Sequence, residues 1–338
     1  MTRKLSFLLM GVPRSGTTAI TEAINCHPLV FCSMEVFLPT DCHRNITFPR
    51  SFQQRLSHKT DEHYRAVKCL LDRKPGATVI GNKHPRYDLR LRKLAEISPD
   101  LKLIFIYRDP HQFVNSWNRR AADLTDDSWH PGQRGIFGFL SLLSYLSGLR
   151  QIDTDCLIVP YSAFSKDVAG TTDRMTCHLG ISDRTSLASQ PSIAELQRAA
   201  DSLRSHSREV RSNESDFFRA AALQELDLIF DREATFLLSE IKQKIDDYLH
   251  SIRGLWGQKF LEALVRYDDP FAIQYLRKML HYRPIAELFA QEAALSPQLA
   301  RYMRALPRGM KFRRMFLRRN DLTPFERFMH RVQATCAP

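Results

Sequence analysis

No stretch of this 338-residue sequence approaches the run of roughly 18–20 apolar residues that a membrane-spanning helix requires. Seven cysteines, an odd number, are spread from Cys26 to Cys336 without a CxxC pair. That usage fits reduced thiols and argues against a disulfide framework. Cys26, Cys32 and Cys42 lie near His27 and His43, but their spacing matches no common zinc pattern, so no metal is expected. Internal repeats and low-complexity segments are absent as well. The first strand pattern begins at about residue 6, which leaves no room for a signal peptide before it. The triplet Asn45-Ile-Thr47 matches a glycosylation acceptor but carries little meaning without an export signal. These absences point to a cytoplasmic protein. What remains is ordinary for a folded chain: 43% apolar and 25% charged residues. Its formal net charge of +12 calls for an anionic partner.

The most informative segment runs from Ser6 to Thr18. An apolar strand over 6–12 leads into a loop spaced Gly11-x-x-x-x-Gly16, and a helix pattern starts at Thr17. A strand, a loop of this spacing and a helix form a phosphate-binding P-loop, with backbone N–H groups and a helix N-terminus aimed at one anion. The nucleoside-triphosphatase version places Lys after the second glycine, to reach the β- and γ-phosphates. Thr17 occupies that position here, and the loop's cation is Arg14. The loop therefore suits a 5′-phosphate yet lacks the usual machinery for moving a γ-phosphoryl group.

Strand and helix patterns alternate through the first half. Helices are predicted over 17–26, 89–97, 110–120 and 137–149, and strands over 77–81, 101–107 and 156–159. This alternation predicts an α/β fold, a P-loop-type parallel sheet flanked by helices, with ligands gathered at the carboxyl ends of the strands. Three chemistry-bearing segments, 13–18, 82–87 and 108–116, fall at those ends. From about residue 193 the pattern is mostly helical, in windows such as 217–226 and 234–252. The expected organisation is a core over 1–192 and a helical C-terminal part over 193–338 that completes or extends it. Apolar stretches after 193 also offer a homodimer face. Residues 301–331 carry ten Arg or Lys against Asp321 and Glu326, a balance of +8. This tail suits a solvated helix packed by Met310, Phe312, Met315 and Phe316, an anionic substrate site, or a membrane or nucleic-acid patch.

A second phosphate-site pattern lies in 107–116, Tyr-Arg-Asp-Pro-His-Gln-Phe-Val-Asn-Ser. Arg108 ends a strand, Ser116 follows two helical turns later, and Arg120 lies one turn further on the same face. Taken alone, Arg108 could equally pair with Asp109 or another carboxylate.

Together, Pro13-Arg-Ser-Gly-Thr-Thr18 and the Arg108/Ser116 pair resemble the two phosphate-binding motifs of sulfotransferases that use 3′-phosphoadenosine 5′-phosphosulfate (PAPS). The likeness is strongest to the tyrosylprotein sulfotransferase branch and its bacterial and carbohydrate-modifying relatives. The segment 25–35, ending in Glu35, resembles that branch's segment ending in a catalytic acid. Gly81-Asn-Lys-His-Pro85 resembles its Asn-Lys-Asp-Pro or Glu-Lys-Thr-Pro segment, and 156–161 resembles a strand ending in a cofactor-contacting Tyr. The likeness covers roughly residues 4–180. The acidic residue that often follows that Tyr is Ser162 here, and no counterpart of the family's C-terminal cofactor loop is evident, although Arg308-Gly-Met-Lys311 is a weak match.

The resemblance implies transfer of a sulfuryl group from PAPS to a hydroxyl, less readily an amine, of a small-molecule or carbohydrate acceptor. The product would be 3′-phosphoadenosine 5′-phosphate (PAP), and neither metal nor nucleic acid is called for. It assigns Glu35 as general base, with Lys83 and Arg14 aimed at the charge that develops on the leaving phosphate. Pro13, Arg14, Ser15, Gly16, Thr17, Thr18, Arg108, Ser116, Arg120 and Tyr161 would hold the nucleotide. His84 is a competing base, read here as a substrate or structural contact; His27 is read as structural, and His111 as a cofactor or water contact. The long polar loop 122–135, with Trp129-His130-Pro131, suits an acceptor lid or an exposed connector. Two other classes stay open on the residues alone. One is a P-loop kinase-like small-molecule phosphotransferase; the other is a non-catalytic nucleotide- or nucleic-acid-binding protein.

Overall fold

A computed structural model of the chain describes residues 3–41, 43–59, 61–97, 100–123, 134–182, 191–206, 223–257, 259–260, 263, 275–276, 278–297 and 299–300. Strands β1 (Arg3–Lys4), β2 (Phe7–Gly11), β3 (Val30–Met34), β4 (Thr47–Phe48), β5 (Val79–Lys83), β6 (Lys102–Tyr107), β7 (Cys156–Pro160) and β8 (Phe236–Leu237) follow one another in the chain. The helices are α1 (Thr17–Ile24), α2 (Arg50–Leu56), α3 (Glu62–Arg73), α4 (Leu91–Ile97), α5 (Pro110–Ala121) and α6 (Ile136–Leu149). They continue with α7 (Tyr161–Lys166), α8 (Val168–His178), α9 (Pro191–His206), α10 (Leu223–Phe230), α11 (Lys242–Ser251) and α12 (Arg283–Ala293).

Six strands form one sheet in the order β3-β5-β2-β6-β7-β8. Every pairing in it is parallel except β7 with β8. Strand β2 lies in the interior because Phe7–Gly11 is buried at every position, as a strand covered on both faces must be. Its side chains divide with period two. Leu8 and Met10 join a core on one face, with Phe105, Tyr107 and Ile158; Phe7 and Leu9 join a core on the other, with Ile104, Ile106 and Val159.

The chain leaves β2 toward β3, fills the gap with β5, and then crosses to β6 on the other side. The strand order thus reverses at β2, and the crevice outside its carboxyl end is where such sheets bind ligands. The loop that follows β2 opens there.

Residues beyond 192 share this framework. Strand β8 pairs with β7, and Leu226, Phe230, Ile245 and Phe289 belong to the same core as Leu8 and Met10. A largely buried ion pair ties in the segment after β5: Arg86 Nε lies 3.1 Å from Asp88 Oδ1, and Ser141 and Ser144 of α6 donate to Asp88 Oδ2 and its carbonyl.

Some boundaries differ from the sequence patterns. The strand expected at 77–81 is Val79–Lys83, so Asn82 and Lys83 are strand residues. The window 234–252, read as helix, begins with β8 and a short 3-10 turn, Leu238–Glu240, before α11. Most of the window 217–226 lies outside the described residues.

Candidate active site

The loop after β2 puts Arg14, Gly16 and Thr18 on its accessible side, while Pro13, Ser15 and Thr17 are buried. Two donors behind the loop engage its carbonyls. Trp117 Nε1 donates to Pro13 O at 2.6 Å, and Arg108 Nη1 donates to Arg14 O at 3.1 Å. With those carbonyls drawn back, helix α1 begins at Gly16 with no side-chain cap, so its first-turn N–H groups stay available for an anion. Ser15 Oγ, packed against Gly11, is a buried polar atom with no protein partner.

Gly16 meets two demands at once. Its φ is 94°, and a Cβ there would lie 2.2 Å from the Tyr161 ring. The same ring carries the Arg108 guanidinium, 4.7 Å from its centroid. The two phosphate-site patterns also touch directly: Arg14 Nε donates to Ser116 Oγ at 3.0 Å. Arg14 has φ 73°, which strains a non-glycine residue by about 1–2 kcal/mol. Arg108 Nε is further held by Gln112 Oε1 at 3.0 Å. Arg14, Gly16, Arg108, Ser116 and Tyr161 therefore form one cluster, with Arg120 one turn beyond Ser116 on α5. An uncapped helix start, an unpartnered buried hydroxyl and two guanidinium groups fit a phosphorylated nucleotide.

The carboxylate sits two strands away. Strand β5 pairs with β2, setting Leu9 opposite Lys83, and with β3, setting Met34 opposite Lys83. Lys83 Nζ reaches Glu35 Oε1 at 2.7 Å; the lysine side chain is 5% exposed and the glutamate 40%. Burial pushes the Glu35 carboxyl up, but the Lys83 charge and hydrogen bond, aided by His84 and His63, hold it below the usual carboxylate range. Glu35 is thus an ionised, half-exposed acceptor of protons beside a nearly buried cation.

His84 differs. Burial pushes its imidazole down to about 4, against the pull of Glu35, and its Nδ1 accepts the Arg86 N–H at 3.0 Å. It is a weak base, tied into its turn. His27 Nδ1 accepts the Leu29 N–H at 3.2 Å and closes the turn before β3. The backbone N–H of His111 donates to Asp109, the N-cap of α5.

The sequence patterns gave no prominence to Trp117, and they assigned no role of their own to Gln112 or Asn82, which lie inside the segments 107–116 and 81–85. Trp117 follows Ser116 directly, and a fully buried indole needs a partner for its N–H; that adjacency was the available signal. Ser162, where an acid was expected, donates a short hydrogen bond to Asp231 Oδ1, so a carboxylate reaches this spot from beyond α10. The basic tail 301–331 and most of the loop 122–135 lie outside the described residues. A cavity of about 690 Å³ between α4, α6 and α12 is lined by none of the predicted site residues. Among the described residues, no three His, Cys, Asp or Glu side chains gather as metal ligands, and no helix is long and apolar enough to cross a membrane.

A phosphate-type loop at the switch point of a mostly parallel sheet defines a P-loop α/β protein. The family model of the sulfotransferase family matches residues 7–186, more than half of the chain, and the chain belongs to that family. Comparison with curated proteins gives no match. Among solved structures, the chain is similar to a sulfotransferase from Alicyclobacillus acidocaldarius, with 16% identity and a TM-score of 0.35 over 58% of this chain and 90% of that one. It is similar to the sulfotransferase domain of the Synechococcus PCC 7002 olefin synthase, with 17% identity and a TM-score of 0.38 over 62% and 91%. A sulfotransferase from Mycobacterium avium is similar at 15% identity, with a TM-score of 0.34 over 62% and 69%.

Proposed function

We propose that the protein transfers the sulfuryl group of PAPS to a hydroxyl, less readily an amine, of a small-molecule or carbohydrate acceptor, releasing PAP. The observation that carries this reading is the Lys83–Glu35 pair: Lys83 ends β5, the strand beside the one that feeds an uncapped phosphate loop, and Glu35 directly follows β3 on the far side of β5. In the reaction a bond forms between acceptor oxygen and sulfur while the bond from sulfur to the bridging phosphate oxygen breaks. The acceptor proton passes to a Glu35 carboxylate oxygen, which is ionised at neutral pH and half-exposed toward an acceptor. Negative charge grows on the leaving phosphate, and Lys83 and Arg14 are the cations that oppose it. Pro13–Thr18 would take the 5′-phosphate end, and Arg108, Ser116 and Arg120 the 3′-phosphate, with Tyr161 beside Gly16 closing the loop. The fixed cations and N–H groups supply the electrostatic work, so the reading calls for no metal. It places the reaction in the cytoplasm, without a nucleic-acid partner, and leaves room for a homodimer.

The test is a chromatographic assay of the purified protein with PAPS, EDTA and panels of sugars, phenols and alcohols. Acceptor-dependent release of PAP is the expected outcome. Consumption of ATP with Mg²⁺, and none of PAPS with any acceptor, would overturn the reading in favour of phosphoryl transfer.

A further inference from the structure

Glu35 stands in a backbone conformation that its own sequence does not favour. Its φ is 60°, one of two non-glycine residues with positive φ among the described residues, and the other is Arg14. The register explains what the conformation achieves. Ser33 lies opposite Asn82 and Met34 opposite Lys83 in the β3–β5 ladder. A strand continued through residue 35 would send its side chain to the face of Ser33, since faces alternate with period two. Lys83 belongs to the other face. The left-handed residue breaks the alternation at the position where Glu35 must meet Lys83, and such strain persists only where neighbours over-determine it.

Asn82 is the neighbour that does so. It is fully buried, and its carboxamide uses its whole hydrogen-bonding capacity on both sides of Glu35. Oδ1 accepts from Ser33 Oγ at 2.7 Å and from the Phe37 N–H at 3.3 Å. Nδ2 donates to Phe37 O at 3.0 Å and to Tyr87 Oη at 2.6 Å. The amide thus grips the chain two residues before and two residues after Glu35, while the Glu35 N–H donates to Lys83 O at 2.8 Å. Tyr87 Oη reaches on to His43 Nε2 at 3.3 Å, fixing the far side of the same loop. Strand β5 therefore delivers the cation through Lys83 and the clasp through Asn82, from adjacent positions.

We propose that Asn82 is the positioning residue of this site: its carboxamide, backed by Ser33 and Tyr87, holds Glu35 in the left-handed turn that sets the carboxylate against Lys83. The proposal rests on the reading of Glu35 as the base for its effect on turnover, but not for its effect on Glu35 itself. The charged and titratable groups facing Glu35 are Lys83 and His84 from β5 and the turn after it, and His63 from α3. Releasing the clasp separates the carboxylate from Lys83, the strongest of these, while leaving it beside the protein.

The experiment is a ¹³C-carboxyl NMR titration of the ligand-free protein, with the Glu35 resonance assigned by its loss in Glu35→Gln. In Asn82→Ala the Glu35 midpoint is expected to rise toward the ordinary carboxylate range as the Lys83 contact loosens. Turnover should fall on the order of 10²-fold at unchanged KM for PAPS, because small displacements of a reacting group are costly. PAP should bind with a dissociation constant within about twofold of wild type, since Asn82 does not touch the loop. Tyr87→Phe and Ser33→Ala each remove one bond and should shift the midpoint in the same direction by less. An unmoved Glu35 midpoint in Asn82→Ala overturns the proposal, because mere destabilisation would lower melting temperature without shifting a titration. Should Asn82→Ala fail to fold, unmoved midpoints in both milder variants overturn it equally. Full activity of Glu35→Gln would refute the base assignment alone, and the titration would still decide the positioning role.

Discussion

Lys83 and Glu35 meet twice, Nζ to Oε1 at 2.7 Å and Glu35 N–H to Lys83 carbonyl at 2.8 Å. The first contact sets the charge state of the carboxylate, and the second ties its backbone to the end of β5. A cation 5% exposed cannot be well solvated, so the pair is one electrostatic unit that a negatively charged donor substrate would perturb. Because Lys83 also lies opposite Leu9 of β2, the unit is fixed relative to the phosphate loop by strand register and not by loop packing.

Glu35→Gln should lower kcat by about 10²–10⁴-fold while PAP affinity stays near wild type. The pH profile carries the companion test. Glu35 is held below the usual carboxylate range, so activity should persist through the mildly acidic range and fall only as pH drops through that depressed value. Lys83→Met removes the largest lowering influence and leaves burial, so the acid limb should move to higher pH as turnover falls. An acid limb unchanged in Lys83→Met would show that the titrating group is not Glu35.

Arg108→Ala should weaken PAP about 10- to 100-fold, the loss expected for a charge-assisted hydrogen bond to phosphate. Binding of 5′-AMP should fall only a few-fold, through the lost contacts to Arg14 O and the Tyr161 ring. Calorimetric titration of both ligands separates the contributions. Equal losses would mean that Arg108 supports the loop and does not read the 3′ group.

How much of this was legible in the sequence depended on where each residue's partners lie along the chain. Phe7–Gly11 and Lys102–Tyr107 announce themselves because strands buried on both faces are continuously apolar. The loop of 13–18 and the helix start at Thr17 are local and were equally plain. Strand β5 appeared displaced because it ends in Asn82 and Lys83, two polar residues buried through hydrogen bonds and an ion pair and not by hydrophobicity. Strand β3, at the sheet edge, was hidden in a segment read only for its motif. The contact of Arg14 with Ser116, 102 residues apart, and the clasp of Asn82 on Phe37, 45 residues apart, have no local signature at all. Sequence named the chemical groups; their support emerged only with the fold.

Gly16→Ala should abolish tight PAP binding and lower the melting temperature. Alanine at φ 94° is strained by roughly 1–2 kcal/mol, and its Cβ would overlap the Tyr161 ring. The double variant Gly16→Ala/Tyr161→Ala removes the overlap but keeps the backbone strain. It should regain part of the lost stability, which thermal denaturation would read, yet not wild-type affinity. Full recovery in the double variant would show that the clash, and not the left-handed backbone, requires glycine.

Asp88→Ala tests whether the segment after Lys83 needs its anchor. Arg86 is a mostly buried cation, its side chain 18% exposed, whose guanidinium lies 3.1 Å from a carboxylate with no exposed side-chain surface. Removing only the carboxylate leaves the charge uncompensated, a change that typically costs about 3–5 kcal/mol. It also strands the hydroxyl of Ser141, which donates to the same group at 3.1 Å. Urea denaturation should therefore show a large drop in the midpoint at unchanged slope. Paired removal, Arg86→Met/Asp88→Leu, eliminates both charges and should recover much of the loss, since hydrophobic replacement of a buried pair is often neutral or stabilising. If the double variant is stable yet turns over slowly with normal PAP affinity, the pair acts through the placement of Lys83, three residues upstream of Arg86. If it is stable and fully active, the ion pair serves folding alone, and Lys83 is held in place by its strand.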